Sequence, residues 1–252
     1  FHSAALKHVP KIEYNPFESI KTNVIGSQNV IDNSLKQNVQ KVIAISTDKA
    51  VSPLNTYGAT KLLMEKLFVT ASNYTNRERH KTKFIAIRYG NVLGSSGSVV
   101  PTLLKQIESG RNITITDPNM TRFNITMNQA LDFIIRSSKK GNGGEVFIPK
   151  LKAYSLGILK EAILEVLEKD VKTELISVRP GEKYHESLIS SEEIRNTFED
   201  KDDYVILEDS LQNNIKTKKS TLTNQYSSDV VECLTKKELK KILIEEKLVS
   251  TK

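Results

Sequence analysis

Residues 46–61 read STDKAVSPLNTYGATK. The run that leads into them, 41–46 (KVIAIS), is apolar and β-branched, and it predicts a strand buried on both faces of a parallel sheet. The run that follows, 56–74, alternates apolar residues such as Leu62, Leu63, Leu67 and Val69 with polar ones and predicts a helix. Strand, polar turn and helix in that order form a βα unit. Thr47, Asp48 and Lys49 fall just past the carboxyl end of the strand, where a doubly wound sheet places its reactive groups. Tyr57 and Lys61 are four apart on the helix and share a face. A tyrosine titrates near 10, too high for a base at neutral pH, and a cation within about 4–6 Å lowers that value. Tyr57 with Lys61 is therefore a candidate oxidoreductase base, although Tyr-x-x-x-Lys alone also arises by chance in helices.

Outward from this unit the pattern repeats. Residues 16–38 carry helical periodicity through Phe17, Ile20, Val24, Val30, Ile31 and Leu35. Residues 84–89 (FIAIRY) predict a second buried strand, 126–139 a helix and 145–149 a short strand. The fold class expected is α/β, a Rossmann-like doubly wound parallel sheet. Beyond residue 155 the order changes: a helix at 155–168, a strand at 174–178, the turn RPGEK, a polar stretch at 190–228, and an amphipathic helix at 235–247 with Leu239, Ile242 and Leu243 on one face. Residues 1–93 and 125–150 are assigned to a nucleotide-binding domain, and 94–124 and 151–252 to a smaller substrate-binding region.

Composition sets limits. The chain has 252 residues, a net charge of +7 and one cysteine, Cys233, which excludes an internal disulfide framework and fits a reducing cytoplasm. No apolar run approaches the about 20 residues of a membrane helix. Residues 1–10 lack the basic start and apolar core of a secretion signal. The lysines are scattered, with the densest cluster at 216–219, and no RNA-type aromatic motif accompanies them. A solvated basic surface, helpful to an anionic substrate, is expected rather than nucleic-acid binding. No metal site is expected: His2 and His8 lack partners at ligand spacing, and the His-Glu of RPGEKYHE is followed by Ile189 where a zinc site needs histidine. The loop GSSGS (94–98) is no Walker loop, because no Gly-Lys-Ser/Thr follows.

Five ordered motifs, FHSAALKHVP (1–10), STDKAVSPLNTYGATK (46–61), RYGNVLGSSGSVVP (88–101), ITDPNMTRFNIT (115–126) and RPGEKYHE (179–186), resemble the nucleotide-sugar 4,6-dehydratase branch of the extended short-chain dehydrogenase/reductase family. Within that branch they are most similar to its soluble, C5-inverting UDP-N-acetylglucosamine type, which belongs to pseudaminic acid synthesis. The resemblance implies an NAD(P)-dependent lyase, NADP rather than NAD, that makes a UDP-4-hexulose for a surface glycan. Tyr57 would take the C4 hydroxyl proton, Lys61 would lower the tyrosine pKa and hold the nicotinamide ribose, Lys49 would be the C5 base, Asp48 the acid at C6, and Thr47 would bond substrate or cofactor hydroxyls. The same resemblance implies cofactor contacts at Ser3 (usually alanine in the family), Ala4, Ala5, Lys7, Asn23 and Val92. It implies substrate contacts at Lys7, Asn91 and Val99, with Arg122 and Arg179 suited to a pyrophosphate because guanidinium forks match phosphate oxygens. Glu182 would orient Arg179 or bind ribose. Tyr57 stands where membrane-bound relatives often carry methionine.

The resemblance further implies a cytoplasmic homo-oligomer. It also places a glycine-rich phosphate loop and the first strands before Phe1, so that residues 1–252 alone would be inactive. A C4 epimerase, a retaining dehydratase and a non-catalytic remnant stay open as alternatives. Epimerases typically carry small hydroxyl residues where this chain has Asp48 and Lys49.

Overall fold

The computed structural model describes residues 1–74, 81–207 and 217–249. The chain divides into two compact units, Phe1–Tyr89 with Ala130–Lys150 and Ser187–Tyr226, and Gly90–Gln129 with Leu151–Glu186 and Ser227–Lys252.

The first unit is built on a six-stranded sheet. Its elements are α1 (Gly26–Lys36), β1 (Lys41–Ile45), α2 (Thr56–Tyr74), β2 (Lys83–Ile87), α3 (Met127–Lys140), β3 (Val146–Pro149), β4 (Thr197–Glu199), β5 (Asp203–Ile206) and β6 (Lys218–Lys219), with strand order β1-β2-β3-β5-β4-β6. β1, β2 and β3 run parallel, in register Ile43 to Ile85 and Ile87 to Phe147. Their residues are buried because both faces are covered, which is why they read as unbroken apolar runs. Ile31 of α1 and Met64 and Phe68 of α2 pack with Val42, Ala44 and Phe84. Phe133 of α3 packs with Ile43, Ile85, Ile87 and Phe147. Helices on both faces make this the doubly wound arrangement expected from the sequence.

Two expectations change. Residues 190–228 are not merely a polar stretch. β5 adds antiparallel to β3, β4 to β5 and β6 to β4. Residues 187–226 accordingly cluster with the sheet unit, and the division differs from one that joins all of 151–252. Residue 216 lies outside the described residues. The helix expected over 16–38 is not uniform either, since Pro16–Ser19 and α1 are joined by a π-helical stretch, Ile20–Ile25.

The second unit centres on the strand Thr121–Ile125, paired parallel to Asn91–Val92 and antiparallel to Ala153–Ser155. Helices Val99–Glu108, Leu156–Leu167 and Lys236–Glu245 close a core that includes Leu103, Ile113, Met120, Tyr154, Leu159, Ile163 and Leu239. Thr235 and Glu238 form a reciprocal capping box that starts the last helix. Among the described residues no helix is long and apolar enough to cross a membrane, and no group of His, Cys, Asp and Glu could hold a metal.

Candidate active site

β1 ends at Ile45, and Thr47 is extended before a single 3-10 turn, Asp48–Ala50. The Asp48 amide donates to the Tyr89 carbonyl at 3.1 Å, tying this turn to the chain just beyond β2. The Asp48 side chain is 1% exposed. Its Oδ1 accepts from Thr47 Oγ1 at 2.8 Å and from Lys49 Nζ at 3.0 Å. Its Oδ2 is buried and has no partner in the structure, nor does the neighbouring Ser46 Oγ. Buried carboxylate oxygens are normally satisfied, so such an open acceptor marks a place for a donor that comes from elsewhere.

α2 approaches the same turn at its first residues. A Cβ on Gly58 would stand 2.2 Å from the Lys49 carbonyl oxygen, so only glycine lets the helix seat there. That contact brings Tyr57 beside Thr47, Asp48 and Lys49. Burial pushes the Tyr57 phenol up, while Lys49 and a hydrogen bond with Thr47 pull it down. Lys49 is thus a cation that pulls on the phenol, a relation that the Tyr57 and Lys61 spacing does not show. Lys61 is buried, donates to the Ile45 carbonyl at 2.5 Å and rests against Met64 Sδ at 3.1 Å. Burial pushes its ammonium down to about 8, against an opposing pull from Glu65.

Asn23 lies in the π-helical stretch, a feature that often marks functional sites. It is fully buried. Its amide accepts from the Leu6 N–H at 2.7 Å and donates to the Leu6 carbonyl at 3.0 Å and to Thr60 Oγ1 at 3.0 Å. Both of its donors are engaged within the protein, so Asn23 holds the 3–7 segment against α2 instead of offering its amide outward. Ser3, Ala4 and Lys7 are exposed and Ala5 is half-buried on that segment.

The segment has a second anchor that sequence reading missed. The His2 backbone bonds Ile43 and Ile45 on the edge of β1 away from β2, and its ring stacks on Phe68 with centroids 5.5 Å apart. Ser27 gives its proton to the Asn23 carbonyl at 2.6 Å, so His2 Nε2 is the donor in its 2.8 Å contact with Ser27 Oγ. Burial, then Lys61, lowers the His2 pKa and keeps the ring neutral.

The remaining predicted residues lie in the second unit. Asn91 and Val92 form a short half-buried strand, with Asn91 opposite Asn124, and Val99 opens a helix. Arg122 is buried and turned inward. Nη1 donates to the Thr121 and Tyr184 carbonyls at 2.7 and 3.0 Å, and Nη2 reaches Glu182 at 3.3 Å. Glu182 thus orients Arg122, and it meets the Arg179 backbone twice, its carboxylate accepting from the Arg179 N–H at 3.4 Å and its own N–H donating to the Arg179 carbonyl at 3.0 Å. Arg179 itself is exposed. The Thr121 hydroxyl links His185 Nδ1 and Ser228 Oγ, each at 2.7 Å, a knot that no sequence signal announced.

Residues 1–208 match the family described as polysaccharide biosynthesis protein, and the chain belongs to that family. Its likeness to the nucleotide-sugar dehydratase branch of the short-chain dehydrogenases holds at closer range. The chain is 46% identical over 206 residues to the inverting UDP-N-acetylglucosamine 4,6-dehydratase of Campylobacter jejuni strain 81-176, covering 81% of this chain and 60% of that protein. It is 43% identical over 252 residues to an uncharacterised membrane protein of Methanocaldococcus jannaschii, covering 97% of this chain and 74% of the other. It is 38% identical over 250 residues to a UDP-glucose 4-epimerase of Rickettsia rickettsii, covering 97% and 73%. The X-ray structure of Pen from Bacillus thuringiensis superposes with a TM-score of 0.90 at 40% identity, over 99% of this chain and 75% of that one.

Proposed function

We propose that the intact protein is a nicotinamide-dependent UDP-N-acetylglucosamine 4,6-dehydratase that inverts C5. The observation that carries the reading is the Thr47–Asp48–Lys49–Tyr57 cluster, with one carboxylate oxygen of Asp48 left open. Its similarity to the Campylobacter dehydratase supports the same reading. The Tyr57 and Lys61 pair, with the open oxygens of Asp48 and Ser46 nearby in sequence, fits a cofactor rich in hydroxyl and amide donors. NADP is the cofactor proposed. When bound, it supplies the acceptor for hydride from sugar C4, the donor of hydride to C6, and a positive charge in its oxidised form.

The chain's own residues then handle protons. Tyr57, whose phenol burial holds up and Lys49 and Thr47 partly pull back down, is the group proposed to remove the C4 hydroxyl proton as the ketone forms. The ketone acidifies C5–H. Lys49 Nζ donates to Asp48 Oδ1 at 3.0 Å, so moving one proton along this contact would turn ammonium and carboxylate into amine and carboxylic acid. The second form holds the same proton count and is the one needed: the amine takes the C5 proton while the acid protonates the C6 hydroxyl, which leaves as water. Proton delivery to the opposite face of C5 inverts it. Lys7 and Thr47 of the first unit, and Asn91, Val99, Arg122, Arg179 and Glu182 of the second, are the proposed UDP-sugar ligands. The product would enter synthesis of a surface polysaccharide or protein-linked glycan, in a homo-oligomeric, cytoplasmic enzyme.

A second reading, C4 epimerisation, is favoured by the length of the match to the Rickettsia epimerase. Incubating the intact protein with UDP-N-acetylglucosamine in heavy water separates the two. A new 6-methyl signal without coupling to a C5 proton, together with inverted C5, supports dehydration. A C4-epimerised sugar with no methyl signal overturns it.

A further inference from the structure

We propose that the amino ends of β1 and β2 form a second anion-binding site, away from the reacting residues, that takes a small ligand carrying two linked phosphate groups. This goes beyond the dehydratase reading and does not depend on it.

The site is a cleft of about 690 Å³ lined by Asn38, Gln40, Lys41, Lys81 and Lys83. Clefts of this size hold small ligands. This lining carries three ammonium groups, two carboxamides and no carboxylate. Lys41 opens β1, Lys83 opens β2, and the two are partners in the parallel register. Paired positions of a ladder send their side chains to one face, with about 4.8 Å between the strands. Two like charges are thus set side by side, an arrangement that repels.

The partners these ammonium groups have among the described residues are neutral. Lys41 Nζ donates to the Ser138 carbonyl at 2.5 Å, and Lys83 Nζ donates to Asn142 Oδ1 at 3.3 Å. An ammonium has three donors, so each keeps donors for a ligand. Glu145 is the carboxylate whose charge reaches Lys41. Its oxygens are held by the loop, accepting from the Asn142 and Gly143 amides at 2.6 and 2.7 Å. Burial, then Lys83, pushes the Lys41 ammonium below its ordinary value, a cost that a bound anion relieves.

The end of α1 fixes the other wall. Asn38 is left-handed at φ 50°, and the Asn38 and Val39 amides donate back to Leu35 and Ser34 at 3.1 and 2.9 Å. The Gln40 carbonyl accepts from the Lys83 N–H at 3.0 Å and ties this wall to β2. Three point charges in one cleft match an anion with several oxygens and more than one charge, and the carboxamides can donate to its remaining oxygens. A single carboxylate would leave most of that charge unmatched. Lys41 and Ile45 stand about 13 Å apart along β1, and Thr47–Lys49 lie beyond Ile45. A ligand held here is therefore separate from groups that react at the Asp48 turn.

The test uses the intact protein labelled with 13C at lysine Cε, titrated with pyrophosphate. The Lys41, Lys81 and Lys83 signals, each assigned by its loss in the glutamine variant, should move together and saturate at one midpoint. Lys81→Gln with Lys83→Gln should weaken the Lys41 response about tenfold or more. Lys105→Gln with Lys169→Gln removes the same charge from exposed positions of the second unit and should leave it unchanged. Inorganic phosphate should bind about tenfold more weakly than pyrophosphate. ADP separates the sources: tighter binding than pyrophosphate marks a nucleotide-borne diphosphate, weaker binding a free one. Shifts that do not saturate overturn the proposal, as does an equal weakening in the Lys105 and Lys169 pair, which would reduce the effect to overall charge. Without ligand, Lys83→Gln should melt no lower than wild type, because it relieves the repulsion at Lys41. A clear fall in melting temperature would make the lysine pair structural and also overturn the proposal. The readout is local to these lysines and needs no turnover, so it stands or fails independently of the dehydratase reading.

Discussion

Two ionic clusters occupy equivalent places in the first unit, one just past β1 and one just past β2, and they are finished differently. Around Arg88 every arm of the guanidinium has a partner and both carboxylates are held. At Asp48 one oxygen is doubly engaged and the other is left open, while Lys49 keeps 24% of its side chain exposed. A closed buried cluster resists change, because removing one member strands another charge. An open one keeps an acceptor where an incoming donor can reach it. The same sheet position thus supports structure in one place and chemistry in the other, and completeness of hydrogen bonding tells them apart.

The largest effect expected follows from the open cluster. Lys49→Met or Asp48→Asn in the intact protein should lower kcat by about 10²–10⁴-fold, the range for a lost general base or acid. Neither should shift the unfolding midpoint by more than a few degrees, since the pair has an exposed side. Steady-state rates read beside thermal melts check this. If Asp48→Asn costs stability and leaves the rate alone, the contrast between the two clusters is wrong.

The closed cluster predicts the reverse. Arg88→Met leaves Glu65 and Glu193 facing each other and should cost about 3–5 kcal/mol in urea unfolding. Replacing all three residues with apolar ones should recover most of that loss, because no unpaired charge remains. A triple variant as weak as the single one would show that Arg88 acts through packing and not through charge.

How much of this could be read from the sequence depends on how local the cause is. The β1–turn–α2 unit was legible because its signals lie within a few residues: an apolar run, Thr47–Lys49 at its end, and the Tyr57 and Lys61 spacing. The α2 boundaries, Thr56–Tyr74, fall where the periodicity put them. The role of Lys49 toward Tyr57 was not legible, since it depends on the helix docking through Gly58. His2 and Ser27 are 25 residues apart, Arg122 and Glu182 60 apart, and Arg88 and Glu193 105 apart. No local pattern encodes such pairings. β4 and β5 were hidden for the same reason: short, charged strands become strands by adding to the edge of β3.

Gly58 connects the two kinds of information, being a single residue whose absence of a side chain sets the geometry of the open cluster. Gly58→Ala forces a Cβ onto the Lys49 carbonyl. The turn or the helix must retreat, at about 1–3 kcal/mol. The rate should fall with it, as Tyr57 moves from Thr47 and Lys49. An alanine variant with normal rate and normal stability would mean the turn is pliant.

The smallest effect concerns Lys61 and has a definite sign. Burial lowers its ammonium from 10.5 to about 8 in the folded chain. Between those two values the unfolded chain binds more protons at this residue than the folded one. Folding stability contributed by Lys61 therefore rises as pH rises through that window, and below it the buried charge is a constant cost. The gain between about pH 7 and pH 9 should be about 1 kcal/mol. Comparing urea midpoints of wild type and Lys61→Met across that range isolates it from other titrating groups. The difference between the two proteins should narrow with rising pH, because the wild type sheds its buried charge and the variant never had one. A difference that stays flat would place the Lys61 titration outside the window.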